Sequence, residues 1–231
     1  MIVILTGAGI SQESGIATFR DAGGLWENVR VEDVATPRAF AKDPARVLEF
    51  YNMRRRHLLS PAVAPNAAHR ALARLERELG EELLLVTQNV DDLHERAGSQ
   101  NPLHMHGELL KARCSRCNKV FRVEGDMERD DACPKCGRTR CLRPHIVWFE
   151  EMPFFMDAIY DALSVCRMFV SIGTSGNVYP AAGFADEARR SGAHVLELNL
   201  EPTRGANVFH EGRYGRAGEV VPRWVDEMLG E

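Results

Sequence analysis

Several sequence features that mark common protein classes are absent from this chain. No apolar run approaches the roughly 20 residues that a helix needs to span a bilayer. The formal net charge is only -4, which argues against a protein that holds nucleic acid by bulk positive charge. The first residues lack the basic region, long apolar core and small-residue cleavage site of a secretory signal. We therefore expect a cytoplasmic protein that binds neither membranes nor nucleic acid directly.

The composition that is present fits a globular α/β protein. The 231 residues are 45% hydrophobic and 27% charged, enough for one large core with or without a small annex. Short apolar runs alternate with helical stretches, and this alternation predicts a doubly wound parallel sheet. The strand-like runs cover residues 2–5, 83–86, 146–149, 168–172 and 194–198, and a final helix is expected over residues 222–229.

Glycine or polar clusters follow four of these runs. They are Gly7-Ala8-Gly9, Gln88-Asn89, Gly173-Thr174-Ser175 and Asn199-Leu200-Glu201. Ligands of parallel sheets bind beyond the carboxyl ends of the strands, so these clusters predict one shared polar site. The dinucleotide fingerprint G-x-G-x-x-G is incomplete, because Gln12 occupies the third glycine position. By that fingerprint alone, a plain strand-to-helix turn explains the first cluster equally well.

The residues that follow the second apolar run suit chemistry on a bound ligand. Gln88, Asn89 and Asp91 come directly after the predicted strand, where a small polar molecule would be held. His106 follows a further short apolar run, and an imidazole that titrates near neutral pH suits proton abstraction. Two structural alternatives stay open. Asn89 and Asp91 also suit the cap of the next helix, and a lone histidine is more often structural than catalytic.

The cysteine spacing predicts a metal site. Two C-x-x-C pairs are separated by 15 residues, and four thiolates complete a tetrahedral zinc site. The four are Cys114, Cys117, Cys133 and Cys136. Because four sulfurs leave no open position, the zinc should be structural and should supply folding energy to a segment with few apolar residues. Two disulfides are the alternative, which a reducing compartment disfavours. Cys141 and Cys166 are expected to be packed or spare thiols.

Two segments outside the predicted sheet carry candidate binding residues. Gly23-Gly24 beside Trp26 predict a loop that closes over a ligand, or alternatively a surface loop anchored by the indole. Residues 35–79 have a mainly helical pattern, in which Tyr51 and Arg54 are three apart and share one helix face. The three consecutive arginines that begin at Arg54 are also compatible with a solvated basic run.

Together these motifs make the chain resemble the sirtuins, the NAD-dependent protein lysine deacylases, over essentially its whole length. The family's opening motif matches Gly7-Ala8-Gly9-Ile10-Ser11 through to Phe19-Arg20, and its central motif matches residues 87–91. His106-Gly107, the four zinc cysteines and the two later polar clusters follow in the family's order. No single motif is specific for this family, but the whole set of motifs in this order is. The family's opening motif has no third glycine, which accounts for Gln12.

The resemblance implies a Rossmann-like NAD-binding domain and a small domain. The first would comprise residues 1–34, 62–110 and 142–231. The small domain would combine a helical insertion, residues 35–61, with the four-cysteine zinc module, residues 111–141. An acyl-lysine peptide would bind in the cleft between the two, along Val147, Trp148 and Phe149.

The resemblance also implies the roles of individual residues. NAD would be a co-substrate in contact with Gly7, Ala8, Gly9, Ser11, Phe19, Arg20, Trp26, Gln88, Asn89, Val90, Asp91, Gly173, Thr174, Ser175, Asn199, Leu200, Glu201 and Ala217. His106 would be the general base, acting through a ribose hydroxyl. Asn89 and Asp91 would orient the groups around the ribose carbon that nicotinamide leaves. The products would be free lysine, nicotinamide and O-acyl-ADP-ribose.

Three positions refine the expected substrate. Tyr51 and Arg54 match the family's Tyr-x-x-Arg pattern, seen in members that remove succinyl or malonyl groups, and would bind the distal carboxylate. Glu150 departs from the glycine that the family usually has at this position.

Two alternative functions remain: mono-ADP-ribosyl transfer, and a non-catalytic NAD-sensing module with a zinc ribbon.

Overall fold

Strands and helices alternate along the chain in the computed structural model, which describes residues 1–17, 25–26 (backbone only), 29–123, 125–203 and 205–231. The strands in these residues are β1 (Ile2–Thr6), β2 (Leu25–Trp26), β3 (Val29–Arg30), β4 (Leu83–Thr87), β5 (Leu103–His104), β6 (Gly107–Cys114), β7 (Val120–Arg122), β8 (Leu142–Ile146), β9 (Met168–Ile172), β10 (His194–Asn199) and β11 (Glu211–Tyr214). The α-helices are α1 (Val31–Val34), α2 (Pro37–Lys42), α3 (Pro44–Leu58), α4 (Ala67–Leu79), α5 (Leu93–Ala97), α6 (Met156–Val165), α7 (Phe184–Arg190) and α8 (Ala217–Leu229). The predicted contacts Phe19 and Arg20, the Gly23-Gly24 pair and the side chain of Trp26 lie outside the described residues.

A six-stranded parallel sheet forms the centre of the fold, in the order β11-β10-β9-β1-β4-β5. The predicted doubly wound parallel sheet is therefore confirmed. Its central strands are level at their carboxyl ends, because Thr6 pairs with Thr87 on one side and with Ile172 on the other. The residues that follow these strands consequently emerge at one edge of the sheet.

Both faces of this sheet are covered by helices, as expected for strands that are apolar on both sides. Ile2 and Ile4 of β1 pack with residues of α4 and α8 in one cluster. Val3 and Leu5 pack with residues of α6 and α7 in a second cluster. Successive residues of one strand thus enter opposite cores, which is why the strand sequences are continuously apolar rather than alternating.

A smaller antiparallel sheet, in the order β7-β6-β8, stands apart from the central one. Helix α3 lies against it, since Phe50 and Tyr51 share a buried cluster with Leu109, Ile146 and Trp148. Both α2 and α3 begin with a capping side chain followed by proline. The Thr36 side chain accepts a hydrogen bond from Ala39 N in α2, and the Asp43 side chain accepts one from Arg46 N in α3.

Two predicted element boundaries are wrong. The strand expected over residues 146–149 is β8, which ends at Ile146. The apolar residues after it instead bridge two segments, since Val147 N donates to His106 O and Phe149 N donates to Ala35 O. The final helix begins at Ala217 and contains Pro222 in its interior, so this proline does not mark the start of the helix. Among the described residues, no helix combines the length and apolarity needed to cross a bilayer.

Candidate active site

A cleft of about 1170 Å³ opens at the carboxyl edge of the central sheet. It brings together most of the predicted site residues, from segments far apart in the chain. Those lining it are Gly7, Ala8, Gly9, Ser11, Tyr51, Arg54, Gln88, Asn89, Val90, Asp91, His106, Val147, Trp148, Phe149, Gly173, Thr174, Ser175, Asn199 and Glu201. Leu200 and Ala217 line an adjoining cavity of about 480 Å³ that shares Gly9, Gly173 and Asn199 with the cleft.

Close backbone packing explains the glycines at the floor of the cleft. Gly9 N donates to Gly173 O at 2.8 Å, and a Cβ on Gly9 would lie 2.8 Å from the same oxygen. Gly173 has a φ of +61°, and a Cβ there would lie 2.5 Å from Ile10 N. The loops after β1 and β9 can therefore touch only because both positions are glycine. Gln12 lies in a 3-10 helix, Ala8–Ser14, and does not take part in this contact.

Hydrogen bonds fix the side chain of Asn89. Its amide nitrogen donates to Gly7 O at 3.1 Å and to Ser11 Oγ at 3.2 Å. Its backbone N–H donates to Thr87 Oγ1 at 3.0 Å. Both amide hydrogens are thus used within the protein, so the amide oxygen is the group that this buried side chain has left for a ligand.

Asp91 is buried beside it and serves two roles. Its Oδ1 accepts the backbone N–H of Leu93 at 3.1 Å, and its Oδ2 accepts the hydroxyl of Ser11 at 3.1 Å. The first bond satisfies the N–H of the first residue of α5, although the N-cap position is Asp92, whose side chain forms no capping bond. The Asn89 side chain instead bonds Gly7 and Ser11. Burial raises the pKa of Asp91 to about 6, against the two hydrogen bonds that lower it. Asp91 therefore joins the cleft network and can carry a negative charge at neutral pH.

The orientation of His106 leaves one ring nitrogen as a base. Its Nδ1 lies 3.1 Å from Gln88 O, and because a carbonyl can only accept, Nδ1 carries the proton. Nε2 is then the unprotonated nitrogen of a ring that lines the cleft. Burial lowers the pKa of His106, and the hydrogen bond to Gln88 only partly opposes it. The imidazole is consequently neutral at pH 7 and ready to accept a proton.

Tyr51 and Arg54 line another wall of the cleft and are both buried. Arg54 is 8% exposed, its guanidinium carbon lies 3.3 Å from the ring centroid of Phe50, and it donates to Phe50 O. Arg55 is 1% exposed and donates to Leu109 O and Asn52 Oδ1. The alternative of a solvated basic run is thus wrong for the first two of the three arginines, and only the third is exposed.

Trp148 connects this wall to a partly buried ion pair. Its indole N–H donates to Tyr51 Oη at 3.0 Å, and Arg143 stacks 3.5 Å from the centroid of its ring system. Arg143 donates both terminal nitrogens to Glu151, which also accepts the backbone N–H of Trp148. Because an indole can only donate, the hydroxyl oxygen of Tyr51 accepts this bond. Trp148 is itself only 2% exposed, whereas Phe149 is 44% exposed.

The four cysteines of the predicted metal site converge. Sγ of Cys114 lies 3.8 Å from that of Cys136, and Sγ of Cys117 lies 3.9 Å from that of Cys133. All four sulfurs lie within 4.8 Å of one another. A tetrahedron with Zn–S bonds of about 2.3 Å has edges of about 3.8 Å, so the donor set fits zinc. Cys141 Sγ lies 3.5 Å from Cys114 Sγ as a fifth thiol, and it donates to Arg138 O.

Some cleft residues were not predicted from the sequence. They are Ile16, Ala17, Glu32, Ala35, His57, Leu58, Leu109, Ile146, Glu150, Glu151, Pro153, Asn177, Val178, Tyr179, Pro202 and Thr203. Most of them lie on loops or on the outer side of helices, where periodicity gives no signal. Glu150, noted from the sequence as a departure, has a φ of +76° and pairs with Arg38 at the rim.

Comparisons with known proteins agree with this geometry. The model of the Sir2 family matches residues 7–180. An NAD-dependent protein deacylase of Pasteurella multocida is 59% identical over 99% of this chain and 97% of its own length, and one of Vibrio cholerae is 59% identical over 99% and 93%. A Sir2 homologue in complex with NAD has a TM-score of 0.88 at 42% identity, covering 99% of this chain and 89% of its own. A Sir2 protein bound to acetylated peptide has a TM-score of 0.82 at 30% identity, covering 100% and 93%.

The family match spans most of the chain and includes the glycine floor, Asn89, Asp91, His106, the four cysteines and the loop after β9. The relatives extend the match to nearly every residue. The chain therefore belongs to the Sir2 family, the sirtuins.

Proposed function

We propose that this protein removes acyl groups from protein lysine side chains with NAD as co-substrate, releasing nicotinamide and O-acyl-ADP-ribose. The observation that carries the proposal is the meeting of three elements in one cleft. These are the glycine floor, the buried Asn89–Ser11–Asp91 network and the neutral imidazole of His106. The relatives that are named NAD-dependent protein deacylases, at up to 59% identity, support the same reaction.

Individual side chains have distinct roles in this proposal. Bound NAD would supply the ribose carbon that the acyl oxygen attacks as nicotinamide leaves. The amide oxygen of Asn89 and the carboxylate of Asp91 place negative charge and acceptors where positive charge would develop. His106 Nε2 accepts a proton from a ribose hydroxyl. The cleft also contains Gly7, Gly173 and Asn199, so cofactor binding at these strand ends is part of the proposal.

The second part of the proposal concerns the acyl group. A succinyl or malonyl chain ends in a carboxylate, which needs a charged partner once it leaves water. Arg54 offers a planar guanidinium that can bind both oxygens, and Tyr51 offers a hydroxyl whose orientation is set by Trp148. We infer that these side chains allow removal of succinyl and malonyl groups in addition to acetyl groups.

The remaining parts of the proposal concern the domain organisation, the zinc site and the entry of the substrate. We propose that residues 35–61 and 111–141 form a small domain, and that residues 1–34, 62–110 and 142–231 form the NAD-binding domain. In support, Leu48 of α3 is buried with Ala112 and Met127, and Arg55 donates to Gly125 O. The four cysteines would hold a structural zinc. The acylated lysine of a partner protein would enter past the exposed ring of Phe149.

A product balance tests the reaction. Purified protein is incubated with an acetyl-lysine peptide and NAD labelled in the adenosine half. Deacylation predicts one nicotinamide and one labelled O-acetyl-ADP-ribose for each free lysine. Label retained covalently on protein would indicate mono-ADP-ribosyl transfer instead, and NAD binding without nicotinamide release would indicate a non-catalytic sensor.

A further inference from the structure

His104 is buried two residues before the base, and both of its ring nitrogens face acceptors. Its Nδ1 lies 3.0 Å from Asn89 O, and its Nε2 lies 2.8 Å from Glu95 Oε1. A carbonyl and a carboxylate can only accept hydrogen bonds, so both nitrogens must carry hydrogen for both bonds to form. The arrangement is that of an imidazolium that bridges a carboxylate of α5 and the backbone carbonyl of Asn89.

The electrostatics agree with this charge state. Burial lowers the pKa of His104, but the hydrogen bond and the charge of Glu95 outweigh it, and the net shift is upward. Glu108 and the carbonyl of Asn89 act in the same direction. The pKa of Glu95 is in turn lowered, because its bond to His104 and the charge of that ring exceed the effect of burial. Both shifts favour the charged form of the pair.

The bridge stands where the main-chain pairing between two strands stops. Strand β5 pairs with β4 only at Leu103 and His104, and the last backbone bond runs from Met105 N to Thr87 O. Beyond Thr87, the carbonyls of the next two residues are bound by imidazoles instead. His106 Nδ1 binds Gln88 O and His104 Nδ1 binds Asn89 O. The carbonyls of residues 88 and 89 are thus held by side chains, whereas Gln88 N still donates to Thr6 O and Val90 O still accepts from Leu109 N.

We propose that His104 is a positioning residue for the reaction: its imidazolium, held by Glu95, fixes the carbonyl of Asn89 and so the segment of residues 88–91 that lines the cleft. This inference rests on the proposed deacylation. When His104 loses a proton, one ring nitrogen becomes an acceptor that faces another acceptor. One of the two bonds must then break, so either the carbonyl of Asn89 loses its donor or the ring that holds this carbonyl loses its anchor on Glu95.

Other titratable groups surround His104. Glu95 and His94 lie on α5, Glu108 and Lys111 on β6, and Asp91 on the loop after β4. His94 is buried and its pKa is lowered well below the ordinary value, so it stays neutral. Lys111 binds Glu108 at 2.7 Å, which leaves Glu95 as the carboxylate bonded to His104.

The pH dependence follows from the sign of the shift. A histidine whose pKa is raised in the folded state stabilises that state at low pH, and the contribution is lost as pH rises through the folded pKa. We therefore expect kcat for an acetyl-lysine peptide, at saturating NAD, to decline on the alkaline side. Glu95→Gln keeps an acceptor for Nε2 but removes the charge, so its decline should begin at lower pH.

The experiment compares pH profiles of kcat for the wild type, Glu95→Gln and Glu81→Gln. Glu81 is an exposed residue at the opposite end of β4, so its variant controls for net charge. At the pH where wild-type kcat has fallen to half of its maximum, Glu95→Gln should keep a smaller fraction of its own maximal kcat. We expect that fraction to be at least roughly threefold below the wild-type fraction. The KM for peptide should change less than kcat. A purely structural role would lower the melting temperature without moving the profile.

Nitrogen NMR of histidine-labelled wild-type protein supplies a readout that does not depend on activity. Two protonated ring nitrogens at His104 near pH 7 are expected, and a neutral ring would overturn the proposal. Superimposable profiles for the wild type and Glu95→Gln would also overturn it, with deacylation itself intact. A wild type that releases no nicotinamide with acyl peptide would instead refute the proposed function, and the positioning role with it.

Discussion

At the scale of single residues, the hydrogen bonds of Asn89 and His106 leave each of these side chains one atom for the ligand. Asn89 uses both amide hydrogens within the protein, which leaves its oxygen. His106 uses Nδ1, which leaves Nε2. Tyr51 accepts a hydrogen bond from the indole of Trp148. Substitutions that remove only that atom are therefore the informative ones.

His106→Ala should reduce kcat for an acetyl-lysine peptide by about 100-fold or more, as expected when a general base is lost. The Kd for NAD should change little. In the wild type, burial lowers the pKa of His106, so acidification should reduce kcat only below the ordinary value of about 6.5. Steady-state kinetics over pH and calorimetry with NAD measure both. Near-normal turnover in the variant would show that another group is the base.

Arg54→Met should reduce kcat/KM for succinyl-lysine at least roughly tenfold more than for acetyl-lysine. The reason is that a hydrogen bond to a charged group contributes about 1.5–3 kcal/mol, or about 10- to 100-fold. Parallel kinetics on two versions of one peptide measure the ratio. Arg56→Met is the matched control, because Arg56 follows in the same run but is exposed. Equal losses on both peptides would mean that Arg54 supports the cleft in general.

Trp148→Phe removes the donor to Tyr51 but keeps an aromatic ring against Arg143. A neutral hydrogen bond contributes about 0.5–1.5 kcal/mol, so succinyl-lysine activity should fall about two- to tenfold relative to acetyl-lysine. The same change made on a Tyr51→Phe background should have almost no further effect on that ratio. A double-mutant cycle measures this coupling, and additive losses would show that the indole does not act through Tyr51.

At the scale of elements, the strands that are buried on both faces could be predicted from the sequence. Strands β1, β4, β9 and β10 are continuous apolar runs because both of their faces are covered, and the clusters after them follow from their level ends. The exposed edge strand β11 was missed, because it has no apolar signal. The contact between Tyr51 and Trp148 was also missed. The two residues are 97 positions apart, and no local sequence pattern indicates that two distant segments of the chain meet.

The zinc module gives a prediction for a whole element. Protein as purified should contain about one zinc per chain, and Cys136→Ser should reduce soluble protein and zinc together, because the module has little apolar core of its own. Cys141→Ser is the matched control. This thiol lies 3.5 Å from Cys114 Sγ, but a tetrahedral site already has its four ligands, so zinc content should be kept. Active protein without zinc would refute the assignment.

At the scale of the whole molecule, the cleft is lined on one side by the parallel sheet and on the other by α3 and the small antiparallel sheet. The parallel sheet supplies the strand ends with the glycine floor, Asn89 and Asp91. Helix α3 and the small antiparallel sheet supply Tyr51, Arg54 and the anchor of Trp148. The account therefore assigns cofactor chemistry to one wall and recognition of the acyl group to the other. Its central claim is that one site performs the NAD-dependent reaction on both neutral and carboxylated acyl groups.

The most direct test of that claim is mass spectrometry of one peptide carrying either acetyl-lysine or succinyl-lysine, with and without NAD. The account predicts that both peptides lose their acyl group only when NAD is present. It also predicts one nicotinamide per free lysine, and loss of both activities in His106→Ala. Deacylation without NAD, or no deacylation of either peptide with NAD, would contradict the account.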